Sequence, residues 1–158
     1  MRIVTIAAIA CALGAVSLSA CAPKVEKQGD KMVVTGAGGV KTTVSTGADA
    51  QAAAAALPAY APAYPGSTVV STSQSSVGGT IASAVALSTP DAPEKVTAFY
   101  KEKLDGAGLG KVSEINLGLG RMVIAEDAAT GKGVQVMAMK SGDTTRVQIT
   151  QSTTKPKG

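Results

Sequence analysis

Between Thr80 and Ser88 the chain alternates: Ile81, Ser83, Val85 and Leu87 point one way and Ala82, Ala84 and Ala86 the other. A period of two predicts a strand, and alanines on its second face let a helix or sheet approach closely. Thr68 to Ser73 reads as a preceding strand, with Val77-Gly78-Gly79 as the turn between them. After Thr89 the period changes. Val96, Phe99, Tyr100 and Leu104 recur at i, i+3, i+4 and i+8, an apolar stripe on one helix face, with Lys95, Lys101, Glu102 and Asp105 on the other. Asp91 is placed to cap the free N–H groups of that helix, Glu94 three residues on completes a capping-box pair, and Pro93 suits the first turn. Gly106 and Gly108 are suited to end it. Four further strands follow, Lys111 to Leu117, Arg121 to Glu126, Gly133 to Lys140 and Thr144 to Thr150, separated by short Gly-containing turns. The last is the cleanest: Thr145, Val147 and Ile149 alternate with Arg146, Gln148 and Thr150.

The order β-β-α-β-β-β-β, with turns of two to five residues between consecutive strands, predicts antiparallel neighbours. The expected fold class is α+β: an antiparallel sheet of about six strands with a single helix packed on one face, over residues 65–152. With no tryptophan, the expected core is Val85, Leu87, Val96, Phe99, Tyr100, Leu104, Ile115, Ile124, Val136, Val147 and Ile149. Met122, Met137 and Met139 read as gap fillers within it.

Before Pro65 the pattern is different. Ala48 to Ala56 is almost pure alanine, and three prolines fall between Pro58 and Pro65. Residues 21–64 therefore read as a disordered Ala/Pro-rich tether, whose proline-rich part favours an extended conformation. As a flexible coil it would span roughly 35–40 Å. Inside it, β-branched residues flank Gly36-Ala37-Gly38-Gly39, the pattern of a hairpin over 32–45. A lone hairpin is marginal in water, so it docks on the domain or stays loose. Residues 153–158 read as a disordered basic tail.

The chain opens with one cation, Arg2, and an apolar run from Ile3 to about Leu18, then small residues Ser19 and Ala20. A short positive start, a short apolar segment and small residues before a cleavage point make a signal peptide over residues 1–20. The run is shorter than the roughly 20 residues of a membrane-spanning helix. Leu18-Ser19-Ala20-Cys21 resembles the lipobox of bacterial lipoproteins. The resemblance implies cleavage after Ala20, acylation of Cys21 and attachment to the membrane through those acyl chains. The expected location is the cell envelope, and alanine at position 22 resembles the outer-membrane sorting pattern, which would put the domain on the periplasmic side. Cys11 would leave with the signal, so the mature chain would carry one cysteine, its sulfur taken by lipid, and no disulfide.

Charge changes this picture little. The chain has 15 Lys/Arg and 11 Asp/Glu, but residues 65–152 carry eight of each. No basic stripe marks a nucleic-acid surface, and no nucleic-acid partner is expected. The chain has no histidine, which removes the usual general base and the commonest metal ligand. Gly36 to Thr42 departs from a phosphate loop, because Val40 stands where glycine must precede the lysine. Gly106-Ala107-Gly108-Leu109-Gly110 closes a helix, whereas a dinucleotide fingerprint opens one. Glu126, Asp127 and Asp143 have no metal-ligand spacing. No catalytic residue, metal or cofactor is assigned.

Tyr64-Pro65-Gly66 and then Thr89-Pro90-Asp91-Ala92-Pro93-Glu94-Lys95-Val96-Thr97-Ala98-Phe99-Tyr100-Lys101-Glu102-Lys103-Leu104 resemble a pattern in uncharacterised bacterial lipoproteins and exported proteins. The resemblance implies a fold and a compartment and no reaction. The function expected is therefore a non-enzymatic, lipid-anchored envelope module that binds an envelope partner or supports an assembly. The alternative is a binder of a small ligand or wall polymer through the sheet face that the helix leaves open.

Overall fold

The structure, a computed structural model, describes residues 24–36 and 40–154. Eleven elements follow in order: β1 (Lys24–Gln28), β2 (Lys31–Thr35), β3 (Lys41–Ser45), α1 (Gly47–Ala55), β4 (Thr68–Val77), β5 (Thr80–Thr89), α2 (Pro93–Gly106), β6 (Lys111–Asn116), β7 (Gly120–Asp127), β8 (Lys132–Ser141) and β9 (Thr144–Thr154). The strands form one nine-stranded sheet in the order β1-β2-β3-β4-β5-β9-β8-β7-β6, antiparallel at every pairing. Two meanders meet where β5 pairs with β9. α2 carries the chain from the middle of the sheet to its far edge and packs on β6, β7 and β8, while α1 packs on β4 of the first meander.

This corrects the expected architecture. Among the described residues the sheet has nine strands, where about six were expected, and two helices accompany it, where one was expected. The residues read as a disordered tether form β1, β2, β3 and α1 from Lys24 onward. The reading failed for a physical reason: an alanine run has no apolar period, so nothing in it marks a buried face. Yet Ala50, Ala54 and Ala61 are buried, because a methyl side chain lets the backbone lie close against the sheet. The hairpin extends the sheet, with β3 pairing to β4 from Lys41↔Ser76 to Ser45↔Thr72. β1 is exposed along its whole length. Backbone pairing to β2 holds it, with Lys24↔Thr35 and Val25↔Val34 in register.

The core lies between the sheet and the two helices. One cross-strand row runs Val85, Ile149, Val136, Val123, and the next runs Leu87, Val147, Ala138. Val96, Tyr100 and Leu104 of α2 belong to the same core cluster. Two expected core positions lie elsewhere. Ile115 is 40% exposed, and Ile124 is half-buried on the other face. In β7 Met122, Val123, Ile124 and Ala125 are consecutive apolar residues, and α2 packs on the face of Val123 and Ala125, which turns Ile124 outward. Met122, paired with both Ile115 and Met137, lies on that open face too, as does Met139. These methionines therefore line the uncovered side of the sheet and do not fill gaps in the core.

The start of α2 also differs. Its N-cap is Ala92, with no side-chain cap, and Pro93 occupies the first turn. Asp91 spends its carboxylate elsewhere: it accepts hydrogen bonds from the Tyr64 hydroxyl at 2.7 Å and from Lys95 Nζ at 3.0 Å.

Candidate functional site: a polar cavity under the first helix

β5 reads Ser83, Val85, Leu87 on its inward face, and β9 reads Thr145, Val147, Ile149, Gln151. In β5 Ser83 interrupts the apolar row between Ile81 and Val85, and in β9 the row gives way to Gln151 and Thr153 toward the same end. Register brings these ends together, with Thr43, Gln74, Ser83 and Gln151 in one row beside Ser45, Thr72 and Val85 in the next. α2 covers β6 to β8 and stops short of this region. α1 and the segment that follows it form the roof here, and a cavity of about 460 Å³ remains between roof and sheet. The wall is apolar, from Ala53, Ala56, Leu57, Pro58 and Val85, and the floor holds hydroxyls and amides. Lys31 and Asp49 lie at the exposed rim.

One floor group stands out energetically. Among the described residues, Gln151 Nε2 is the buried side-chain nitrogen or oxygen without a hydrogen-bond partner. An unpaired buried donor costs about 1–3 kcal/mol. Such a penalty is relieved when an acceptor enters the cavity. The site can thus hold a small molecule bearing several hydrogen-bonding groups and one apolar side.

The roof is fixed to α2 by aromatic residues. Tyr100 is fully buried and donates its hydroxyl hydrogen bond to the Pro62 carbonyl at 2.8 Å. Tyr64 packs edge-on against Phe99 with ring centroids 5.3 Å apart, and Phe99 lies 5.1 Å from Tyr100 in the same manner. The Tyr64 carbonyl accepts from Ser67 Oγ at 2.6 Å, closing a turn in which Gly66 takes a φ of +73°. The two separated parts of the Tyr64-Pro65-Gly66 and Thr89–Leu104 pattern therefore meet in space, through the Tyr64–Asp91 hydrogen bond. Burial, then the bond to Asp91, pushes the Tyr64 phenol up to about 12. The hydrogen bonds from Tyr64 and then Lys95 hold the Asp91 carboxyl below its usual range. Burial likewise pushes the Tyr100 phenol up.

A family model described as START domain-like matches residues 69–154, more than half of the chain. The chain belongs to the START domain-like family. No curated protein and no solved structure matches the chain. Membership of the START domain-like family is compatible with a ligand-binding module. The match spans β5 and β9 and nearly all of β4, the greater part of the cavity floor. The roof, α1 with Leu57 and Pro58, lies outside the matched residues.

The residues singled out in the sequence fall elsewhere. Leu18, Ser19, Ala20 and Cys21 lie outside the described residues, as do Lys155 and Lys157. Asp127 accepts from the Ala129 and Thr130 backbone N–H groups and from the Thr130 hydroxyl, which makes it a turn former. Hydrogen bonds to the charged form hold its carboxyl low, that from Thr130 most strongly. Asp143 sits in the β8–β9 turn at the other end of the sheet from Asp127, so these acids are not brought together. Leu109, within the Gly106–Gly110 stretch, is buried below the end of α2. The cavity residues were missed, though a signal existed. Ser83 interrupts an otherwise apolar face, and Gln151 continues the buried parity of Thr145, Val147 and Ile149.

Proposed function

We propose that this START domain-like protein is a lipid-anchored cell-envelope module, cleaved after Ala20 and acylated at Cys21, that binds a small polar ligand in the cavity beneath α1. The observation that carries the ligand reading is the unpaired Gln151 amide in a polar floor roofed by an apolar wall. The reading is of a binding module without catalysis, held at the membrane and presenting its cavity to the envelope. The ligand offers at least one hydrogen-bond acceptor to Gln151 and further groups to Thr43, Thr72 and Ser83, with an apolar side toward Leu57 and Pro58.

Two measurements test it. The denatured mass of protein extracted from membranes with detergent is expected to equal residues 21–158 plus acyl chains, and Cys21→Ser is expected to abolish the modification. An unmodified mass refutes the anchor. Native mass spectrometry of the same preparation is expected to show a small-molecule adduct, lost in Ser83→Leu, which removes a floor hydroxyl and puts a bulkier apolar side chain in its place. Adduct occupancy unchanged by Ser83→Leu, or no adduct and no thermal stabilisation by envelope extract, refutes the cavity as the site.

A further inference from the structure

Register places the start of β1 and the end of β9 at one end of the sheet. A single cross-strand row runs Lys24, Thr35, Lys41, Ser76, Ile81, Thr153, Lys132 and Asp127. Strands spaced about 4.8 Å apart make this row about 34 Å wide. Just past it the β4–β5 turn, Val77-Gly78-Gly79, projects with Val77 53% exposed, while Ile81 in the row is 50% exposed and Val25 beside it 55%. These are large apolar side chains at a turn and two strand positions that no described residue covers. The chain then continues from Thr154 into a sequence bearing Lys155 and Lys157.

We propose that this end of the sheet is a membrane-contact surface, seated on the phospholipid leaflet that holds the acyl chains of Cys21, with the Val77 turn dipping among the headgroups. The inference rests on the acylation proposed above. Two residues, Ala22 and Pro23, separate Cys21 from Lys24, and the three Cα-to-Cα steps reach at most about 11 Å. The first described strand begins at Lys24, and a link this short cannot lift that strand far from the lipid. Lys24, Lys41 and Lys132 lie along this row as cations suited to anionic headgroups; Lys24 also pairs with Glu26 at 2.8 Å, and Asp127 is the cross-strand neighbour of Lys132.

The opposite end carries the more exposed apolar residue. Leu119, 79% exposed, lies there, its carbonyl accepting from the Lys140 amide near the far end of β8. Lys140 is eight residues along β8 from Lys132, about 26 Å. The anchor cannot bring that end to the same leaflet while the Val77 end stays away from it. Exposure alone would favour Leu119; geometry favours Val77.

The chain has no tryptophan, so a single introduced indole reports its own surroundings. The full acylated chain carrying Val77→Trp or Leu119→Trp is reconstituted in vesicles of phosphatidylglycerol and acyl-brominated phosphatidylcholine. Strong bromine quenching and a blue-shifted emission are expected for Val77→Trp, with neither for Leu119→Trp. Ile81→Trp serves the same purpose should Val77→Trp misfold. Equal quenching at both ends, stronger quenching at position 119, or none at either overturns the proposal. The denatured mass of the same samples separates the two failures: absent acyl chains remove the anchor and this inference with it, whereas an acylated chain with an unquenched position 77 removes the inference alone.

Discussion

Tyr100→Phe isolates the bond that fastens the cavity roof to α2. The substitution keeps the ring, which is fully buried between Phe99 and the sheet, and removes only the hydroxyl that donates to the Pro62 carbonyl at 2.8 Å. A net hydrogen bond is worth about 0.5–1.5 kcal/mol, and an acceptor left unpaired adds to its loss. Pro62 is half-buried, so water can reach its carbonyl in part. The expected destabilisation is therefore about 1–2 kcal/mol, in the lower part of the combined range. For a domain of this size that lowers Tm by about 4–8 °C. Urea denaturation is expected to show a lower midpoint with an unchanged slope, since the surface exposed on unfolding is the same. Hydrogen exchange then localises the effect. The Ala61 amide, bonded to the Pro58 carbonyl, and the Ser67 amide, bonded to the Tyr64 carbonyl, are expected to exchange faster than in the parent chain. Amides in the middle of β9 are expected to keep their order of protection. A variant as stable as the parent, with unchanged exchange at Ala61 and Ser67, would refute the claim that residues 57–67 are a packed part of the domain.

Two further outcomes follow from local geometry. Asp91 has a folded-state pKa below its ordinary 3.8, so its stabilising contribution is complete above that value and is lost as pH falls through the lower folded value. Melting curves of Asp91→Asn and the parent chain are therefore expected to differ at neutral pH and to converge below about pH 3.8; a difference that persists unchanged in acid refutes the contact. Tyr64, raised to about 12, contributes at any pH below its ordinary 10 and loses that contribution only as pH rises toward 12, so it leaves the acid limb unaltered. Gly110 takes a φ of +61°, and a Cβ there would strike the Glu126 carbonyl oxygen. Gly110→Ala is expected to cost about 2–3 kcal/mol through backbone strain and the forced shift of β7, read as a fall in the urea midpoint; a neutral effect contradicts the left-handed turn between α2 and β6.

Much of the chain from β5 onward was legible because it obeys one local rule at a time. Period two in β5 and β9, a helical stripe in α2, and glycine turns between strands each arise from burial on one face. Legibility failed where burial is shared with a distant segment. β1 carries Lys24, Glu26 and Lys27, buries nothing, and exists because β2 offers it a paired edge. α1 consists largely of alanines whose burial on β4 no periodicity announces. Asp91 has the sequence context of a helix cap, but Tyr64, 27 positions earlier, takes its carboxylate. The cavity was visible only as an anomaly of parity, polar Ser83 and Gln151 at positions where the alternation calls for apolar side chains.

Sheet width explains why the N-terminal region had to fold. α2 spans β6 to β8, leaving the inward faces of β4, β5 and the far part of β9 without cover. Val85 and Leu87 lie there, buried to 3% and 0%, and burying each fully is worth roughly 1.5–3 kcal/mol. A flexible tether would leave part of that surface in water. Ala54, Ala61 and Tyr64 join the same core cluster as Val85 and Leu87, and Leu57 packs against it, which removes that surface from water. The same closure creates the site. Alanine and proline are too short to reach the polar row of Thr43, Gln74, Ser83 and Gln151, so the roof covers this end without filling it. The roof that completes the core over Leu87 therefore leaves a partly open, hydrogen-bonding space beside it. A ligand can enter that space without displacing any part of the apolar core.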